Sequence, residues 1–357
     1  MHKKLFIPGP VDVREDVLEK LATPQIGHRT QEATQLQDDI TKKLQKVFQT
    51  ESTVLLSSSS GTGLMEGAVR SCTKNKVAVF ACGAFGKKFY KICQGNNIAA
   101  DLYEVEMGEA ITVEFVEECL KNDDYDVITL QHNETSTGVT NPIGEIGEFL
   151  KENYPDIIFI VDTVSSMGGV NIPVDKWGID VCITSSQKCM GLPAGFSFLS
   201  ITDRAIEKAR TVENRGYYFD LVMLYDKDKA KHQYPSTPSL PHMFALDYQL
   251  DRILDETLEE RFKRHEEMAE VVRDFGREYF ELFVKEDKYL SNTVTCIKNT
   301  KDIDIGKLNK ALSEKGYMIS NGYGDLKDKT FRISHMADYT LDDVNGLLNT
   351  IKDILNL

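Results

Sequence analysis

The sequence predicts an α/β protein, a larger domain on a mainly parallel sheet followed by a smaller α+β domain. Three observations predict it. From about residue 50 to 205, short β-rich runs alternate with amphipathic helical stretches, the pattern of strand, crossover and parallel strand. Beyond 205 that pattern gives way to a polar, Pro-rich stretch at Lys231–Pro241 and a long helical reading from Phe244 to about Glu286. The 357 residues are 41% hydrophobic and 27% charged, with no excess of Gly or Pro, so they suit two or three folded domains and exclude disorder and fibres.

In chain order, Pro8-Gly9-Pro10 fixes the N-terminal arm as an extended or turning segment. The clearest strands are Val77–Cys82, Val127–His132, Ile157–Asp162 and Val181–Ser185, each followed by polar or Gly-rich residues. Those residues therefore lie at strand C-terminal ends, the crevice where open parallel sheets bind ligands. The chain so points to four loops: 83–86, 132–138, 162–169 and 185–195. The smaller domain reads as strand Asn292–Lys298, helix Asp304–Lys315, strands Tyr317–Ser320 and Thr330–His335, and helix Leu341–Leu355. The expected division is an arm at 1–18, a large domain at 19–258 and a small one at 259–357.

Charge and cysteine usage exclude several function classes. Lys plus Arg is 42 and Asp plus Glu is 56, a net charge of −14 that repels nucleic acid and anionic membranes, so any phosphate must be held in a small local site. The seven cysteines, at 72, 82, 93, 119, 182, 189 and 296, form neither a disulfide framework nor a CxxC pair. The N-terminus breaks after three apolar residues, Leu5-Phe6-Ile7, too few for a signal sequence, and the longest apolar runs, such as Ile157–Val161, are too short for a membrane span. A reducing, cytoplasmic setting is the expectation.

Ser57-Ser58-Ser59-Ser60-Gly61-Thr62-Gly63 precedes an apolar helical run, so small residues with free amides meet a helix N-terminus, a cradle for phosphate or simply a Ser-capped helix. The spacing fits neither GxGxxG nor a P-loop. Asp162 ends the most apolar strand, where a carboxylate is costly unless a cation or hydrogen bonds meet it; a helix cap is the plainer role. Lys188 follows the next strand, where partial desolvation makes a lysine nucleophilic, against the ordinary role of an exposed loop cation. A lysine, an acid and a phosphate cradle on one sheet face are the three anchors pyridoxal phosphate needs. Phe85 offers a ring to stack on a cofactor or a core side chain, and Arg332 offers a fork for a carboxylate or an edge cation.

These residues together resemble the class V, fold-type I pyridoxal-phosphate aminotransferases of the alanine-glyoxylate and serine-pyruvate branch. The likeness spans nearly the whole chain. It is carried, in the family's order, by Phe6-Ile7-Pro8-Gly9-Pro10, Gly27-His28-Arg29, Ser60-Gly61-Thr62-Gly63, His132-Asn133-Glu134-Thr135-Ser136-Thr137-Gly138, Val161-Asp162-Thr163-Val164-Ser165-Ser166 and Ser186-Gln187-Lys188. The resemblance implies a seven-stranded sheet, Lys188 as the Schiff-base lysine, and Asp162 as partner of the pyridine nitrogen. It implies Phe85 against the ring, Ser60, Gly61, Thr62 and Gln187 at the phosphate, and Thr135 near the ring hydroxyl. Arg332 takes the substrate α-carboxylate and Gly9 lies in the arm beside the substrate. Tyr234 and Thr237 match residues that reach the neighbouring subunit's phosphate, so a homodimer is expected. Thr62 stands where some relatives carry His, and Met336-Ala337-Asp338 replaces a Met-Gly, departures that bear on substrate.

The implied reaction moves an amino group from a small amino acid, alanine or serine, to a 2-oxo acid such as glyoxylate or pyruvate. Three alternatives stay open. A desulfurase or lyase needs a mobile nucleophilic cysteine, and Cys296 reads as mid-strand. A phosphoserine or aminoethylphosphonate aminotransferase needs a second phosphate site, for which His28, Arg29, Lys329 and His335 are candidates. A cofactor-binding subunit without turnover is the third.

Overall fold

The computed structural model describes residues 2–121 and 124–357; Met1 of the expected arm and two residues of the expected large domain lie outside them. After β1 (Lys4–Phe6), α1 (Glu15–Lys20) and α2 (Gln31–Phe48), the chain alternates strictly: β2 (Thr53–Ser57), α3 (Gly61–Cys72), β3 (Val77–Ala81), α4 (Gly86–Gly95), β4 (Ala100–Glu104), α5 (Val113–Leu120) and β5 (Val127–Gln131). A hairpin of β6 (Asn133–Glu134) and β7 (Val139–Thr140) precedes α6 (Ile143–Asn153), β8 (Ile158–Asp162), β9 (Val181–Ser185), β10 (Ser197–Ile201), α7 (Asp203–Arg210) and α8 (Leu221–Lys231).

The larger sheet has seven strands in the order β2-β10-β9-β8-β5-β3-β4, and β10 alone runs antiparallel to its neighbours. Helices cover both faces, so successive strand residues enter two cores. Phe80, Leu130, Phe159 and Phe198 fill one, and Val79, Ile160, Ile183 and Leu199 the other. That double burial is why these strands read as continuous apolar runs. The edge strand β4, Ala-Asp-Leu-Tyr-Glu, is only half-buried and carries no such run.

The long helical reading divides in two, α9 (Leu240–Glu256) and α10 (Leu258–Tyr279). Thr257 breaks it: its φ of 67° ends α9, and its hydroxyl accepts the Glu260 N–H to cap α10. The chain then forms β11 (Glu281–Leu282), β12 (Val294–Lys298), α11 (Ile305–Glu314), β13 (Tyr317–Asn321), β14 (Thr330–Ser334) and α12 (Leu341–Leu355). The smaller sheet runs β1-β13-β14-β12-β11, so the arm read as merely extended contributes a strand parallel to β13. Phe6 anchors it, stacked on Tyr339 with ring centroids 4.3 Å apart. This pairing carries Pro8-Gly9-Pro10 back to the larger sheet, where the Val11 N–H donates to the Gln187 carbonyl at 3.0 Å. Among the described residues no helix is long and apolar enough to cross a membrane, and all seven cysteines are free thiols.

Candidate active site

A cavity of about 340 Å³ lies at the C-terminal ends of β2, β5, β8 and β9, closed on one side by the arm. It brings together Gly9, Ser60, Gly61, Thr62, Phe85, Thr135, Asp162, Gln187 and Lys188. A larger cavity of about 460 Å³ lies elsewhere, beside Asp180 and Arg204, but those two charges already neutralise each other.

The floor of the site is the start of α3. Its N-cap, Ser60, makes no side-chain cap bond; the Gly63 N–H donates to the Ser60 carbonyl at 2.9 Å, and the Gly61 and Thr62 amides ahead of it stand at the positive end of the dipole without a side-chain cap. Gly61 is required there, because a Cβ would sit 2.8 Å from Val164 Cγ2. In the lining of the same cavity, Ser185 Oγ and Gln187 Oε1 are buried without a partner, a state that favours a polar ligand.

Asp162 closes β8 with one carboxylate oxygen accepting the Val164 N–H at 2.8 Å. Burial raises its pKa to about 6, against the pull of that bond and of the Lys88 and Lys188 charges. Lys188 is desolvated in its turn, which lowers its pKa to about 8. Its ammonium donates to the Pro8 carbonyl, and the backbone of Gly9, at φ 97°, approaches so closely that a Cβ would lie 2.7 Å from Nζ. The surface-loop role for this lysine is thereby excluded. An acid held ionised above pH 6 and an amine half neutral at pH 8 share one cavity, which suits proton transfer near neutrality.

Phe85 is oriented by a residue that sequence reasoning passed over. Glu134, fully buried, accepts the Phe85 and Gly86 N–H groups on Oε2 at 2.8 and 3.1 Å and the Ser136 N–H and hydroxyl on Oε1 at 2.9 and 2.6 Å. These bonds satisfy the carboxylate and lock the 83–86 turn to the 132–138 loop. Lys88, one turn into α4, lies over the Phe85 ring at 4.8 Å from its centroid and also lines the cavity. Its spacing of three from Phe85 at a helix start was the legible signal. Glu134 stood inside the quoted motif.

Arg332 is on the central strand β14, buried, and not an edge cation. It does not line the cavity but borders it, donating at 3.0 Å to the carbonyl of Thr135, which does. Tyr234 and Thr237 are outside the cavity of their own chain. Tyr234 is buried in the core with its hydroxyl unpartnered, and Thr237 is exposed. The residues present fit pyridoxal 5′-phosphate: free amides and orphan polar atoms for the phosphate, Asp162 for the ring nitrogen, Phe85 for a ring face and Lys188 for the aldehyde.

The family model described as aminotransferase class-V matches residues 16–347. An uncharacterized aminotransferase of Methanocaldococcus jannaschii is 41% identical, over 94% of this chain and 88% of its own length. A soluble hydrogenase 42 kDa subunit of Anabaena cylindrica is 30% identical, over 98% of this chain and 92% of its own. The solved alanine–glyoxylate aminotransferase of Nostoc sp. matches with a TM-score of 0.93 at 27% identity, covering 99% of this chain and 96% of that one.

Proposed function

The chain belongs to the class-V aminotransferases, and from that premise we propose that it moves an amino group from a small amino acid, alanine or serine, to a 2-oxo acid such as glyoxylate or pyruvate. The observation that carries this reading is the meeting of Lys188, Asp162 and the uncapped start of α3 in one cavity. Pyridoxal 5′-phosphate, when bound, supplies the electron sink for the carbanion at the substrate Cα. Ser60, Gly61, Thr62, Ser185 and Gln187 hold its phosphate, Phe85 flanks its ring, Thr135 lies near the ring hydroxyl, and Asp162 keeps the ring nitrogen protonated. Lys188 Nζ takes the proton from Cα, and Gly9 keeps the arm against that lysine. The test is a panel of amino donors and 2-oxo acid acceptors followed by visible absorbance; a spectrum that no amino acid alters defeats the reading.

Arg332 is the carboxylate clamp. Its Nε and Nη2 donate to the Asn321 carbonyl at 3.1 and 3.0 Å and its Nη1 to Thr135, which uses three of about five donors and leaves the rest for a substrate. Arg332→Lys raises KM for amino acids roughly ten- to a hundredfold, because an ammonium cannot serve both carbonyls and a carboxylate. Steady-state kinetics with alanine checks this, and a wild type that prefers amines lacking a carboxylate would refute the role.

The reading includes a homodimer in the cytoplasm, with Tyr234 and Thr237 reaching the partner's phosphate; the exposed Thr237 supports this, whereas the Tyr234 hydroxyl is enclosed in its own chain's core and would have to turn outward to do so. The helix break at Thr257 supports a large domain over 19–258 and a small one over 259–357, after an arm at 1–18. Replacing Tyr234 by Phe and Thr237 by Val weakens cofactor retention and dimerisation together, since each phosphate then loses donors from the second chain. Dialysis and sedimentation measure both; unchanged retention, or a fully active monomer, overturns the shared site.

The other readings lack support in the cavity. Cys296 is buried on β12 with its thiol pushed up to about 11, unlike a desulfurase nucleophile. His28, Arg29, Lys329 and His335 do not line the cavity, and Arg29 donates to the Tyr234 carbonyl, so the cavity lends a second phosphate site no support. A subunit without turnover, the reading that the Anabaena relative's name raises, is separated by the same absorbance test.

A further inference from the structure

Tyr323 has an unusual placement. It lies in the Asn321-Gly322-Tyr323-Gly324 turn between β13 and β14 and stays 47% exposed although it is a large aromatic. Its ring centroid is 5.5 Å from that of Phe85, tilted by 36°, and 5.6 Å from the guanidinium carbon of Arg332. Phe85 comes from the larger sheet's helix α4 cap and lines the cavity, while Arg332 comes from the smaller sheet and bonds Thr135, another lining residue. Tyr323 therefore bridges the two sheets along the rim of the site, with its other side in water.

The turn holds this side chain by its own bonds. The Gly322 N–H donates to the Thr330 carbonyl at 2.8 Å, Asn321 Nδ2 donates to Asp328 Oδ1 at 2.6 Å, and Gly324 takes a φ of 56°. Other surface tyrosines here also sit beside cations, as Tyr279 does beside Lys352, but those pairs are remote from the cavity. What distinguishes Tyr323 is that both of its partners border the site. Arg332 is buried, and among the described residues no carboxylate pairs with it, so the tyrosine ring covers a desolvated cation.

We propose that Tyr323 is a specificity-determining residue: its ring roofs the carboxylate end of the cavity and restricts the donor to amino acids with small side chains. This rests on the aminotransferase reading above. A carboxylate that reaches the unused donors of Arg332 lies beside the Tyr323 ring, and the Tyr323–Phe85 pair then walls off the space a long side chain needs. The ring also excludes water from the guanidinium, which strengthens its grip on the carboxylate.

The test uses the cofactor-loaded protein, its Tyr323→Ala and Tyr323→Phe variants, and alanine and leucine as donors. Visible absorbance of the half-reaction gives apparent binding constants, and steady-state kinetics gives KM and kcat. Tyr323→Ala is expected to raise KM for alanine about tenfold with kcat changed less than about threefold, and to raise the leucine-to-alanine ratio of kcat/KM by about tenfold or more. Tyr323→Phe keeps wild-type selectivity, since the ring and not the hydroxyl does the work. An unchanged ratio in Tyr323→Ala, or a wild type that takes leucine as well as alanine, overturns the proposal. A wild type whose spectrum responds to no amino acid overturns the aminotransferase reading itself and removes the donor site that Tyr323 would guard.

Discussion

Lys188→Ala is expected to lower the rate of transamination by roughly four to six orders of magnitude while leaving a folded protein. The first half follows from position: Lys188 is the amine beside Asp162 in the cavity, half neutral near pH 8. The second half follows from the sign of its pKa shift. A lysine whose folded pKa is about 8 against an ordinary value of 10.5 binds its proton more weakly in the folded state. Its destabilising effect is therefore full below pH 8 and fades as pH rises from 8 towards 10.5, amounting to about 3 kcal/mol at neutral pH. Removing the ammonium offsets the loss of its stem contacts and of the bond to Pro8. The cofactor-free variant should then melt no lower than wild type at pH 7, with its advantage gone near pH 10. Thermal melts across that range check the stability claim. Borohydride reduction of the loaded wild type followed by peptide mapping checks the chemistry, and label on another lysine would refute it.

The sheet was legible because burial on both faces leaves Val, Ile and Phe in unbroken runs, as in Ile158–Asp162, and the polar residues after such runs mark the crevice. Asp162 and Lys188 are legible in that way, the Ser60–Thr62 turn as small residues ahead of an apolar helical run, and the cavity unites them. What escaped depends on contacts far apart in sequence. β1 is three residues long and exists by pairing with β13, more than 300 positions on. The α9–α10 break turns on one threonine whose φ no periodicity reports. Glu134 looks like one more polar loop residue until its carboxylate is seen capping the Phe85 turn. Tyr323 has no apolar run around it, and its meaning comes only from Phe85 and Arg332, which two different sheets supply.

Asp162→Asn should lower kcat by roughly three to five orders of magnitude and at the same time stabilise the cofactor-free protein. Burial is the main cause of the raised pKa of about 6, so the folded state holds this proton more tightly than the unfolded chain, whose carboxyl titrates near 3.8. The stability tied to that proton is fully present below pH 3.8 and is lost as pH rises through 6. At pH 7 the ionised carboxylate stands at a disadvantage of about 3 kcal/mol, which only a cationic partner offsets. Asparagine keeps the acceptor for the Val164 N–H and the volume of the side chain but carries no charge to hold a ring nitrogen protonated. The two effects should therefore diverge: a higher melting temperature without cofactor at pH 7 than wild type, no such gain at pH 4, and a loaded variant that binds cofactor yet scarcely turns over. If kcat were instead unchanged, Asp162 would be nothing more than the cap of the turn at Val164, and the buried carboxylate would have no electrostatic purpose in this cavity.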